Sequence, residues 1–153
     1  MYRFKAGKKI LKLHLMANKF NKKGFIGKFI ADRIKKKIIY NFGCYISPKC
    51  SIADTVVFPH PTGIVIGEGV VIGKGTTIYQ NVTFGAARRG QSNLYPQVGE
   101  NVTVYAGAVI IGDIVIGDNA VIGANSVVNK DVKHCQTVAG IPAKEINKKV
   151  RTL

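Results

Sequence analysis

The sequence predicts an all-β solenoid, a parallel β-helix of six-residue repeats preceded by a short basic helical segment. Three observations predict it. Aliphatic residues recur every six positions from about residue 46 to residue 128. Small or β-branched residues recur four places after each of them. Helical periodicity and most of the positive charge are confined to residues 1–43.

The N-terminal segment, 1–43, comes first. The chain has 153 residues and a formal charge of +15. Residues 1–43 hold 13 of the 23 Lys and Arg and a single acid, Asp32, so the charge is theirs (+12). Apolar residues step at helical spacing through Leu11 and Leu15, then through Ile26, Ile30, Ile34 and Ile38. Asn21–Gly24 reads as the break between two helices and Asn41–Gly43 as the end of the second. Lysines flanking Ile, Leu and Phe stripes fit peripheral contact with a membrane surface. Two helices packed on the following domain with their lysines in water fit equally well. No aromatic stacking pattern accompanies the charge, so nucleic acid is not expected as a partner.

From residue 44 the period becomes six. Ile46, Ile52 and Phe58 form a first series. Ile66, Ile72, Ile78 and Phe84 form a second, two residues out of phase, and Val98, Val104, Ile110, Ile116, Ile122 and Val128 a third. Hexads indicate a parallel β-helix, each repeat a short strand and a corner, three repeats closing one triangular coil. The aliphatic points inward, as does the residue four places on, among them Val70, Thr76, Ala108, Ala120 and Ser126. Glycine often follows the aliphatic, at Gly67, Gly73, Gly85, Gly99, Gly117 and Gly123. Sandwich strands alternate at period two with turns of varying length and do not hold such a phase.

The interruptions locate the candidate site. Between Phe58 and Ile66 the register slips by two residues, and the slip carries His60 between Pro59 and Pro61. Between Phe84 and Val98 the spacing exceeds a hexad by eight, giving a protruding polar loop over 85–97. Insertions at solenoid corners often shape the binding face. The domain organisation is therefore 1–43, basic and helical, and 44–153, the coil with its loop and C-terminal tail.

Cys44, Cys50 and Cys135 form no CxxC pair and are odd in number, so reduced thiols and a cytoplasmic setting are expected. No window has the 18 or more apolar residues of a membrane-spanning helix. Lys12, His14 and Lys19 interrupt any signal-peptide core.

PHPTGIVIGEGVVIGKGTTIYQNVTFG, the GxxVxIG steps after it and the closing TVAGIPAKEI resemble the serine O-acetyltransferase branch of the hexapeptide-repeat acyltransferases. The resemblance covers residues 44–146. It implies a left-handed coil, a homotrimer, and acetyl-CoA bound as acyl donor in the groove between neighbouring prisms, with no metal.

His60 matches the catalytic histidine of that family. An imidazole titrates near neutrality, so it can take the acceptor hydroxyl's proton and return it to the leaving thiolate. A corner histidine without chemical role is the competing reading. The resemblance further implies Gly85, Ala86, Ala106, Ala124, Pro142 and Lys144 along the acyl-CoA groove. The sequence also departs from the family. The acids expected to partner or precede the histidine are Tyr45 and Pro59, and the Arg–His pair that grips an amino-acid carboxylate is Leu94–Tyr95. These departures point to a sugar or polysaccharide hydroxyl as acceptor, with Tyr95 offering a flat ring and Arg88 and Arg89 meeting acceptor or CoA charges. Serine is the alternative acceptor. A metal-dependent hydratase on the same prism ranks lower, since three converging histidines are needed. His14 and His134 read as surface residues.

Overall fold

The structure is a computed structural model describing residues 3–87 and 94–146. Two helices, α1 (Arg3–Asn21) and α2 (Gly24–Phe42), precede the strands. Gly43 closes α2 with a left-handed backbone, φ 61°, its N–H bonded to the Ile39 carbonyl.

The strands are two to four residues long and fall on three faces. The first face stacks β1 (Tyr45–Ile46), β3 (Val65–Ile66), β6 (Thr83–Gly85), β9 (Val109–Ile111) and β12 (Val127–Val128). The second stacks β2 (Ser51–Ile52), β4 (Val71–Ile72), β7 (Gln97–Val98) and β10 (Val115–Ile116). The third stacks β5 (Thr77–Ile78), β8 (Thr103–Val104), β11 (Val121–Ile122), β13 (Thr137–Gly140) and β14 (Ala143–Glu145). Every pairing is parallel except β13 with β14, a terminal hairpin that the hexad reading does not foresee.

Pairing distance along the chain records the repeat. Val65 pairs with Thr83 and Val109 with Val127, eighteen residues on, which is three hexads. The slip that carries His60 stretches this to twenty, Tyr45 with Val65. The insertion between Phe84 and Val98 stretches it to twenty-six, Thr83 with Val109. Both interruptions are thus absorbed at corners, and the ladder continues through them.

Both inward positions of the repeat are buried, from Ile66, Ile72 and Ile78 to the small Ala108 and Ala120. Several corners use a left-handed residue, and Asn81, Asn101, Asn119 and Asn125 supply it with φ between 54° and 59°. Three of these asparagines set their side-chain oxygen against a glycine of the preceding coil: Asn81 on Gly63, Asn101 on Gly75, Asn125 on Gly107. A β-carbon at those glycines would collide with the amide.

The helices lie on the first coils and share one apolar core with them, through Ile10, Leu11 and Ile38. Asn18 donates from Nδ2 to the carbonyls of Pro48 and Cys50, at 3.1 and 2.9 Å. Gly7 sits so close to the Phe58 carbonyl that a side chain there would collide. The buried line on α1 is Gly7, Ile10, Leu11, His14 and Ala17; Leu15 and Ile26, expected in the apolar stripes, are exposed. Packing on the coil, one of the two readings open for the arm, describes these inner faces. No helix among the described residues is long and apolar enough to cross a membrane.

His14 is a correction to the sequence reading. It is buried, not at the surface, with Nε2 3.9 Å from the Cys50 sulfur and Nδ1 lacking a hydrogen-bond partner. Burial lowers its pKa from 6.5 to about 4 and pushes the Cys50 thiol up to about 12. The folded protein therefore keeps His14 neutral while the unfolded chain protonates it, so stability falls as pH drops from about 6.5 to about 4. The total loss is about 3 kcal/mol. Denaturant melts across that range should show this limb, and His14→Leu should flatten it; an unchanged slope in His14→Leu would refute the assignment.

Candidate active site

His60 stands on the corner between the third and first faces. Val57 makes the last bridge of the third face, to Thr77, and Tyr45 and Val65 begin the first. Between them the chain turns on itself, the Thr62 N–H donating to the His60 carbonyl at 2.8 Å.

This turn is pinned from three sides. On its N-terminal flank Phe58 is buried against Gly7 of α1. On its C-terminal flank the Gly63 N–H donates to the Gly43 carbonyl at the end of α2, 3.2 Å. From the next coil the Asn81 N–H donates to the Thr62 carbonyl, 2.9 Å. Pro59 and Pro61 restrict the remaining torsions, and Pro61 is itself buried. The sequence marked the two prolines; the helix contacts came from residues far along the chain.

The His60 side chain is half-buried. Its ring makes no hydrogen bond or ion pair with any described residue. Its one ring neighbour is Tyr79, centroid 6.2 Å away and tilted by 45°. Tyr79 in turn stacks on Tyr105 of the next coil at 5.3 Å and 20°, within the range of favourable aromatic pairs. Sequence reasoning missed both tyrosines. A signal was present: each occupies the repeat position after the inward aliphatic, where six other hexads have glycine.

Ala106 and Ala124 lie on the His60 edge, one coil apart, with the Asn125 N–H bonded to the Ala106 carbonyl. Ala106 is half-buried and Ala124 exposed. Pro142 and Lys144 belong to the terminal hairpin at the far end of that edge, where Ala139 pairs with Lys144 and the Gly140 N–H reaches Ser126 Oγ. Both are exposed. Gly85 and Ala86 lie elsewhere, at the corner between the first and second faces, where Gly85 pairs with Ile111. Among the described residues, nothing stands within 4 Å of where a Gly85 side chain would begin. The candidate residues thus fall on two edges, with the first face between them.

Tyr95 is half-buried. Its ring lies over Gly67 and Gly69, so close that a β-carbon at either would collide with it, and it packs against the core cluster. It covers the first–second edge. Arg88 and Arg89 lie outside the described residues. Tyr45 is exposed beside Lys35, whose ammonium is 5.9 Å from the ring centroid. His134 is exposed with Nε2 3.1 Å from the Cys135 sulfur. No group of three His, Cys, Asp or Glu side chains that could hold a metal occurs among the described residues.

The stacked hexads are the repeats of the hexapeptide fold. Residues 95–130 match the bacterial transferase hexapeptide model of six repeats, and the chain is similar to the serine O-acetyltransferase-like branch of that family. It is 40% identical over 131 residues to the serine acetyltransferase of Staphylococcus aureus (strain Mu50 / ATCC 700699), covering 84% of this chain and 60% of that one. A solved serine acetyltransferase from Neisseria gonorrhoeae superposes with TM-score 0.87 at 33% identity, over 93% of this chain and 56% of the other. A serine acetyltransferase solved in complex with CoA gives TM-score 0.82 at 34% identity, over 90% and 55%. The chain thus spans little more than half the length of these proteins. Residues 44–153 make up only 110 of the 153, so a 93% match reaches well into α1 and α2. The likeness is wider than residues 44–146, and the helical pair is part of it.

These relatives overturn the sugar or polysaccharide acceptor and with it a role in polysaccharide biosynthesis: they are named serine acetyltransferases, at up to 40% identity.

If Tyr95 is a cover, Tyr95→Ala should lower the melting temperature by several degrees, the usual shift for the roughly 1–3 kcal/mol of such a lost contact. An unchanged melting temperature would return Tyr95 to the pool of free surface rings.

Proposed function

We propose that this chain transfers the acetyl group of acetyl-CoA to the hydroxyl of serine, with His60 as general base, from a left-handed coil assembled as a homotrimer in a reducing, cytoplasmic setting. The observation that carries the reading is His60 itself: an imidazole fixed in place by two helices and the next coil, half-buried at an edge, with its ring nitrogens uncommitted to any described residue. Similarity to serine acetyltransferases supports the donor and the acceptor.

In this reading His60 takes the proton of the serine hydroxyl as its oxygen bonds to the thioester carbon. The carbon–sulfur bond then breaks, and His60 returns the proton to the departing thiolate, leaving O-acetylserine and CoA. Backbone N–H groups near Gly85 would stabilise the developing oxyanion. Small side chains at Ala86, Ala106 and Ala124 leave room for a pantetheine arm beside the backbone, and Lys144 is suited to a phosphate. Arg88 and Arg89 carry the planar forks that pair with the serine carboxylate, which Leu94 and Tyr95 do not.

The separation of the two edges supports assembly of more than one copy. Strands rise about 3.3 Å per residue, so four residues of first face hold the His60 edge about 13 Å from the Gly85 edge of the same chain. A groove between copies would take one edge from each, bringing His60 of one subunit to the Gly85 corner of the next.

Thiol release from acetyl-CoA in the presence of serine tests the chemistry. His60→Ala should fold and bind acetyl-CoA while kcat falls by ~10²–10⁴; near-normal turnover with saturating serine would sink the mechanism. The shared groove has its own test. His60→Ala and Gly85→Trp should each be inactive alone, yet mixed subunits should recover about a quarter of wild-type activity, because some interfaces join two intact edges. No recovery in verified mixed trimers would place the whole site within one chain.

A further inference from the structure

The turn between the helices presents a surface that the fold does not use. Phe25, Ile26 and Phe29 open α2 and are 89%, 74% and 60% exposed. Around them stand Lys22, Lys23 and Lys28, all exposed. The turn is firmly built. Lys23 N–H donates to the Phe20 carbonyl at 2.9 Å, Gly24 takes φ 66°, and Gly27 lies so close to the Phe20 carbonyl that a side chain would collide. The inner helix faces are committed to the coil through Ile10, Leu11 and Ile38. The tip therefore projects three large apolar side chains within a ring of lysines.

We infer that this tip docks on an anionic lipid surface, Phe25, Ile26 and Phe29 entering the interface and the lysines meeting the headgroups. Aromatic and aliphatic side chains beside lysines are the composition that partitions to such an interface. Charge selects lipid over a second copy of the chain. A two-fold contact between tips would set Lys22, Lys23 and Lys28 against their own equivalents. The segment's single acid cannot relieve that, because Asp32 is already held by Lys35 and Lys36 at 2.7 and 3.2 Å. The docking is confined to the tip; the rest of the arm is cover for the coil. It is independent of the acetyl-transfer reading.

The chain has no tryptophan, so F25W is a single-site reporter in the full-length protein. Its emission should shift to the blue on adding phosphatidylcholine vesicles containing phosphatidylglycerol, and not with phosphatidylcholine alone. Raising salt from about 0.05 to about 0.5 M should reverse the shift. Co-sedimentation of the wild type with the anionic vesicles should be lost in F25S/F29S, whose melting temperature and oligomeric state stay those of the wild type. Absence of wild-type binding, or binding that survives F25S/F29S, would overturn the inference. So would F25W emission already blue without vesicles together with dissociation of F25S/F29S, which would make the tip a contact between copies.

Discussion

The structure depends on one constraint, that each coil must offer its backbone to the next in unbroken parallel register. Strands of two or three residues have almost no stability of their own. What holds them is stacking, in which an N–H such as Val65's finds the Val82 carbonyl and Thr83's finds the Ala108 carbonyl, coil after coil. The side chains serve this register. Inward residues large and small are buried together, from Ala108 and Ala120 to Phe58 and Phe84. Asparagine and glycine make several of the corners, where the backbone is left-handed, and at three of them a glycine leaves room for an amide.

A stack has two ends, and ends are liabilities. At the first coil the helices close it: α1 donates Asn18 to the backbone there and lays Ile10 and Leu11 on the core, while α2 ends in a glycine whose carbonyl takes the Gly63 N–H. At the last coil the chain reverses into an antiparallel hairpin. The helical cap is more than a lid. The backbone it holds, Phe58 on one side and Gly63 on the other, is the backbone on either side of His60. Stability at this end and placement of the imidazole therefore rest on the same contacts, which is a physical reason for the helical pair to accompany the coil in the serine acetyltransferases this chain resembles.

What the sequence disclosed follows from this. The inward aliphatics are read directly because the repeat is local: Ile66, Ile72 and Ile78 announce their phase without knowledge of the fold, and so does the slip at His60. The helix limits were legible for the same reason, in Asn21–Gly24 and Gly43. Contacts between helix and coil were not. Which face of α1 is inward depends on where the helix lies, so Leu15 was assigned inward and His14 outward, the reverse of the structure. The packing of Tyr95 was not legible either, because its partners, Gly67 and Gly69, are two corner positions whose only sequence signature is being small. The Tyr79–Tyr105 stack was legible in principle, as two rings in a slot that glycine otherwise fills.

The acceptor shows where such reading overreaches. Side chains absent at Tyr45, Pro59, Leu94 and Tyr95 were taken to exclude an amino-acid carboxylate. That step assumes the carboxylate must be met by those positions, on that chain. The geometry weakens both assumptions. His60 and the Gly85 corner lie on different edges of one prism, with the first face between them, so a substrate touching both draws on residues a single chain does not bring together. Recognition of a small anion also needs few groups, since one guanidinium can form two parallel bonds to a carboxylate and the inserted loop carries two, Arg88 and Arg89. The chemistry proposed for His60 asks for one group that moves one proton, which a single residue can supply. Acceptor identity is set by several weak contacts distributed over a groove, and substitutions at some of them leave it undetermined.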